Sequence, residues 1–146
     1  MKRGFTLIEL LISMAILGIL ATLGFGNFKT ARLKAADAKK KSDLTTIAKS
    51  LEAYVNDHRV YPNNTLSGEI ECTPACPWGS PMTDGTTTYA SGLPTPTTSY
   101  VYDSDGISYT LYTRLENDND PQAVEIAGTD CGGQLCNYKI TSSNIQ

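Results

Sequence analysis

Gly4-Phe5-Thr6-Leu7-Ile8-Glu9-Leu10-Leu11 opens an apolar run that continues to Phe28, carries a single acid, Glu9, and follows a short basic leader, Lys2-Arg3. The carboxylate decides the reading. A glutamate without a partner in lipid costs roughly 3 kcal/mol or more, so an ionisable residue in such a run is a functional residue by default. As a helix rising about 1.5 Å per residue, 5–28 extends roughly 36 Å, enough to cross a hydrocarbon core of about 30 Å with some tilt. The run is too long for the apolar core of an ordinary signal peptide, and no small-x-small cleavage site follows it cleanly. Lys2 and Arg3 precede it while Lys29, Arg32 and Lys34 follow it, so charge counting alone gives no orientation.

Beyond Phe28 the pattern becomes amphipathic. Leu44, Ile47, Ala48, Leu51, Tyr54, Val55 and His58 recur at steps of three and four, the apolar stripe of one α-helix face. Between Lys29 and Lys41 the residues are mostly Ala, Lys and Arg, good helix formers with little to bury. One long helix is therefore expected, ending near His58 before the turn signal Tyr61-Pro62-Asn63-Asn64. Gly18, Gly24 and Gly26 interrupt its apolar half, each costing about 1 kcal/mol relative to alanine. Ala15, Gly18, Ala21 and Thr22 suit close helix packing. Gly24 to Gly26 is where the helix is expected to loosen on leaving lipid for an assembly.

The strand signals come late. Tyr100-Val101-Tyr102 and Ile107 to Leu115 flank Asp103-Ser104-Asp105-Gly106, a hairpin-turn composition. Ile107, Tyr109, Leu111, Thr113 and Leu115 alternate with Ser108, Thr110, Tyr112 and Arg114, so one face is set to pack on the helix. A third strand is expected within Asn137 to Thr141. The Pro/Thr/Ser-rich stretch from Thr83 to Ser99 reads as an extended surface loop. The fold class is α+β, a long amino-terminal helix packed on a small antiparallel sheet. The expected divisions are a leader at 1–4, an apolar helical half at 5–28, an amphipathic half at 29–58 and a globular head at 59–146.

Ten Lys/Arg stand against five acids up to Arg59, whereas Arg114 and Lys139 alone oppose ten acids beyond it. The acidic head offers no basic groove for nucleic acid, which is not an expected partner. Cys72, Cys76, Cys131 and Cys136 are an even set in a domain expected outside the membrane, which favours disulfides over a four-cysteine zinc site. Three pairings are open, and the expectation leans to two local clips, Cys72 with Cys76 and Cys131 with Cys136. Glu116, Asp118 and Asp120, with Asp103 and Asp105 nearby in sequence, supply oxygen ligands of the kind calcium takes, although a solvated, turn-forming loop is the favoured reading. His58, the lone histidine, sits at the end of the helix stripe, where a structural role outweighs general-base work. No nucleophile elbow, phosphate-cradling glycine loop or paired metal-binding histidines occur, and a non-enzyme is expected. Asn63-Asn64-Thr65 fits a glycosylation acceptor by pattern alone.

The leader Lys2-Arg3-Gly4 and the following Phe5-Thr6-Leu7-Ile8-Glu9 resemble a type IV prepilin; the match is specific from Lys2 to Gly18 and one of general layout thereafter. The resemblance implies cleavage between Gly4 and Phe5 by an inner-membrane prepilin peptidase and methylation of Phe5. It also implies a cytoplasmic amino terminus and an extracytoplasmic head. Glu9 is then expected to pair with the amino group of Phe5 on a neighbouring subunit and so set the register of assembly. The partners implied are further copies of the chain in a helical homopolymer, the peptidase, an inner-membrane assembly platform and, before assembly, membrane lipid. The product is a type IV pilus (fimbrium) subunit, with a type II secretion pseudopilin as the alternative. A membrane-tethered extracytoplasmic binding protein is the minor alternative, since it would have no use for Glu9. The major pseudopilins that the chain resembles bind calcium in a loop late in the sheet region. No cofactor is expected, calcium being the one candidate.

Overall fold

The computed structural model describes residues 4–72 and 76–142, apart from the side chains of residues 23–27; Lys2 and Arg3 of the leader lie outside the described residues. One helix, α1 (Leu7–His58), is followed by β1 (Met82–Thr83), β2 (Thr88–Ala90), β3 (Tyr100–Ser104), β4 (Tyr109–Thr113) and β5 (Tyr138–Thr141). The chain divides into two compact units, the first ending at Ala36 and the second beginning at Asp37.

In the first unit the apolar residues of α1 stay exposed on every side, among them Leu7 at 77%, Leu11 at 60% and Leu17 at 65%. A helix that is apolar all round is stable only among apolar neighbours. Among the described residues no helix is long and apolar enough to cross a membrane. The stretch of α1 from Leu7 to Thr22, whose side chains are described, rises about 24 Å, short of the roughly 30 Å needed. The expected span at 5–28 thus extends past those side chains. The backbone of α1 is helical through Gly24 and Gly26, and the surroundings of these two glycines lie outside the described side chains.

The second unit is built on the stripe. Leu44, Ile47 and Leu51 are fully buried, and Ala48, Tyr54 and Val55 pack against the same cluster as Tyr61, Ile70, Met82, Leu93, Tyr100, Tyr102, Tyr109 and Leu111. A three-stranded antiparallel sheet in the order β3-β4-β5 supplies the strand face of this core. The register pairs Tyr102 with Leu111 and Leu111 with Ile140, so alternate residues of β4 point inward. Tyr109, Leu111 and Thr113 are buried accordingly, and Leu115 just beyond the strand is buried too.

Several expectations need correcting. Ile107 lies in the β3–β4 turn and is 76% exposed, because Asp105 accepts from the backbone N–H groups of Ile107 and Ser108 and tightens the turn around Gly106. The stretch from Thr83 to Ser99 is more than a surface loop. It completes a two-stranded hairpin, β1–β2, with Met82 and Leu93 buried at its two ends. Residues 29–41 are also not idle, since Asp37 and Lys40 are buried. The helix ends at His58, as expected, and the next residue, Arg59, adopts φ 65° and donates its N–H to Val55 O, a left-handed cap made without glycine. Beyond that end, Tyr61 and Pro62 pack inward, and the Tyr102 hydroxyl donates to Pro62 O at 2.7 Å.

Two disulfides, Cys72–Cys76 and Cys131–Cys136, close short loops of the second unit. The turn at Gly68 holds the outer edge of β3, with Tyr102 N–H donating to Gly68 O at 2.8 Å. Gly68 has φ 75°, and a Cβ there would lie 2.9 Å from Val101 Cγ1, so this position requires glycine.

Candidate assembly site and its anchors

The amino-terminal motif folds as a helix start. Thr6 precedes the first helical residue, and Thr6 Oγ1 accepts from the Glu9 backbone N–H at 3.3 Å. Glu9 Oε2 reaches back to accept from Thr6 N–H at 3.0 Å and from Thr6 Oγ1–H at 2.8 Å. This reciprocal exchange is a capping box, which satisfies amides that the first turn of a helix leaves without intrahelical partners. The pattern Thr6-Leu7-Ile8-Glu9 ahead of an apolar run was its available signal in the sequence. Gly4 and Phe5 lie just before the helix, both exposed, and a Cβ added at Gly4 would meet nothing within 4 Å. The cleavage candidates and the acid candidate are therefore adjacent and accessible, with one of Glu9's oxygens engaged by Thr6.

A second set of polar contacts fastens α1 to the segment after β4. Asp37 takes the backbone N–H of Glu116 at 2.7 Å on Oδ1 and that of Asn117 at 2.9 Å on Oδ2. Lys40, 1% exposed, donates to Arg114 O at 2.9 Å and to Glu116 Oε1 at 3.0 Å. Lys41 donates to Asp120 Oδ2 and to Gln122 Oε1, both at 2.8 Å, and its ammonium lies over the Tyr138 ring. The Lys41 ammonium, followed by the N–H of Gln122, holds the Asp120 carboxyl below its usual range. Asp118 lies 3.6 Å from Arg114. The three calcium candidates, Glu116, Asp118 and Asp120, are thus each drawn to a different side-chain cation. Among the described residues no group of three or more His, Cys, Asp or Glu side chains is placed to hold a metal ion.

Tyrosines tie the remaining carboxylates of α1 to the sheet. Tyr100 donates to Asp43 at 2.7 Å, while Tyr61 and Tyr109 both donate to Glu52. Burial, reinforced by the Glu52 bond, pushes the Tyr61 hydroxyl up to about 12, so it remains a donor at any physiological pH. At the carboxyl end of α1, His58 Nε2 lies 2.9 Å from Asp84, and the ring stacks on Tyr54. The N–H groups of Thr87 and Thr86, then His58 and Tyr89, hold the Asp84 carboxyl far below its usual value. His58 therefore joins the helix end to the β1–β2 hairpin, the structural place anticipated for it. Asp37 and Lys40 escaped sequence reasoning because buried charged side chains look like any charged helical stretch until the fold covers them.

Residues 1–25 match the family profile described as the prokaryotic N-terminal methylation motif. The type II secretion system core protein G of Escherichia coli (strain K12) is 30% identical over 99 residues, covering 54% of this chain and 68% of the relative. That of Klebsiella pneumoniae is 32% identical over 54% of this chain and 71% of the relative. The type IV wide pilus major component PilA4 of Thermus thermophilus is 40% identical over 76 residues, 50% of this chain and 58% of the relative. No solved structure gives a significant match. The chain belongs to the family of type IV pilins and type II secretion pseudopilins.

Proposed function

We propose that the chain is a structural, non-catalytic subunit of a type IV pilus. Prepilin peptidase cuts between Gly4 and Phe5 and methylates Phe5, and the run from Phe5 to Phe28 anchors the protein in the inner membrane. An assembly platform then draws it into a helical homopolymer, with the second unit outside the cell. The observation that carries this reading is the exposure of leucine and isoleucine on every side of α1 behind Glu9, a surface that only lipid or other copies of the helix can cover.

Glu9 acts in this scheme as the register for assembly. Thr6 holds it through Oε2, which orients the carboxylate at the membrane-proximal start of the helix. The amine freed on a neighbour's Phe5, with an unperturbed pKa near 8, is largely protonated at neutral pH and relieves the desolvation of the carboxylate in lipid.

The relatives named core protein G favour a second reading, a pseudopilin of a type II secretion system that forms a short periplasmic filament. Deleting the gene, imaging the cells and assaying secreted enzyme separates the two. Loss of long surface fibres with secretion intact supports the pilus; loss of secretion with fibres intact supports the pseudopilus. If both persist, neither filament depends on this subunit.

A further inference from the structure

We propose that Lys40 and Lys41 are the resident cations of the acidic segment after β4, and that this segment is latched to α1 without calcium. Its composition, Glu116-Asn117-Asp118-Asn119-Asp120, has the oxygen-rich character of a calcium loop. A calcium ion needs six to eight oxygens converging on one point at 2.3–2.6 Å, roughly. Here the oxygens converge on ammonium groups. A backbone carbonyl and a carboxylate, Arg114 O and Glu116 Oε1, meet at Lys40 Nζ, which is buried. A carboxylate and an amide oxygen, Asp120 Oδ2 and Gln122 Oε1, meet at Lys41 Nζ.

The other contacts work against a metal at the same place. Glu116 and Asn117 direct their N–H groups to the buried Asp37 carboxylate, so the segment presents donors on that side, where a cation would need carbonyls. Asp120 Oδ1 already accepts from Gln122 N–H at 2.9 Å, which engages both oxygens of that carboxylate. A divalent ion entering here would have to displace the Lys41 ammonium from Asp120 and the buried Lys40 ammonium from Glu116. The latch is built from residues three and four apart on one face of α1, Asp37, Lys40 and Lys41, which fixes their spacing through the helix itself.

Trypsin reads this directly, because Arg114 is the sole Lys or Arg between Arg59 and Lys139. Arg114 is held in place, donating to Leu135 O at 2.8 Å, and the next residue, Leu115, is buried. The full chain, purified in detergent, is digested with a chelator or with calcium at the millimolar level that extracellular modules require, and cleavage after Arg114 is followed by mass. Wild type is expected to resist that cut equally in both conditions, with melting temperatures agreeing within about 1 °C. Lys40→Met, which keeps the length of the stem but removes the charge, should admit the cut at a rate at least about tenfold higher, as expected for loss of the two charge-assisted hydrogen bonds made by a buried ammonium. If Lys40→Met does not fold, Lys41→Ala, at a partly exposed site, is the second variant and should raise the rate by about two- to fivefold, the scale of a partly exposed ion pair. Protection of wild type by calcium, loss of it in chelator, or an unchanged cut rate in the variant that folds would overturn the proposal.

Discussion

From Leu7 to Thr22, α1 carries leucine and isoleucine exposed on every side; from Asp37 to His58 the same helix carries Leu44, Ile47 and Leu51 on one side, each with no exposed surface. Backbone and hydrogen-bond pattern are identical in the two stretches, so secondary structure does not distinguish them. What differs is the source of each stretch's partners. The carboxyl-terminal stretch finds them in its own chain, where three strands and a hairpin cover the stripe and Asp37, Lys40, Asp43 and Glu52 each meet a named donor or acceptor. The amino-terminal stretch satisfies only its first turn, through Thr6 and Glu9, and leaves its apolar surface for another molecule. One stretch should therefore respond to substitution in assembly and processing, and the other in folding stability.

The largest effects should fall on the amino-terminal stretch and leave the second unit untouched. Gly4→Val should abolish processing, leaving precursor that still begins at Met1 by intact mass. Because a Cβ at residue 4 meets nothing, its melting temperature should equal that of the wild-type precursor. Glu9→Leu should be cut and inserted yet nearly absent from filaments, with an unchanged melting temperature; wild-type filament levels from a strain with this sole copy would break the division of roles. The opposite case is Leu44→Ala, fully buried in the core, which should cost about 2–5 kcal/mol in chemical denaturation while its processing stays normal.

Smaller effects sharpen the picture of the second unit. Removing the clip by Cys131→Ser with Cys136→Ser should cost about 2 kcal/mol, since the loop it closes is short. Peptide mapping after alkylation of native protein should find no free thiol at Cys72, Cys76, Cys131 or Cys136. The least effect is acidic. Asp84 has a depressed pKa in the fold, so its contribution is fully present above the unfolded carboxylate pKa of about 4 and is lost as pH falls through the folded value. Asp84→Asn should thus lower the melting temperature at pH 7 and reduce its fall below pH 4; parallel acid limbs for wild type and variant would remove Asp84 from that account.

The legible parts of this molecule are those where a period or a motif is long enough to average over noise. The stripe from Leu44 to Leu51 announces a helix face, the alternation from Tyr109 to Leu115 announces a strand, and Lys2 to Glu9 announces its family. The β1–β2 hairpin went unread because strands of two and three residues, with a register shift between Met82 and Thr83, carry no period. Ile107 misled because a β-branched residue beside a strand looks like its first member, whereas the Asp105 turn claims it. Lys40 and Glu116 stand 76 residues apart, and no local pattern couples them. The cysteines fell between these cases: composition favoured bridges, proximity in sequence leaned to the two local clips, and the structure has those pairs.

The spacing of those bridges has a kinetic consequence. Each clip joins cysteines four or five positions apart, whereas the nearest cross-pairing, Cys76 with Cys131, would close a loop about eleven to fourteen times longer. Loop-closure entropy then favours the neighbour over the distant cysteine. Closeness in sequence thus biases each cysteine toward its partner in the unfolded chain. Forming the two clips takes an oxidant, and their short spans leave few wrong pairs to reshuffle.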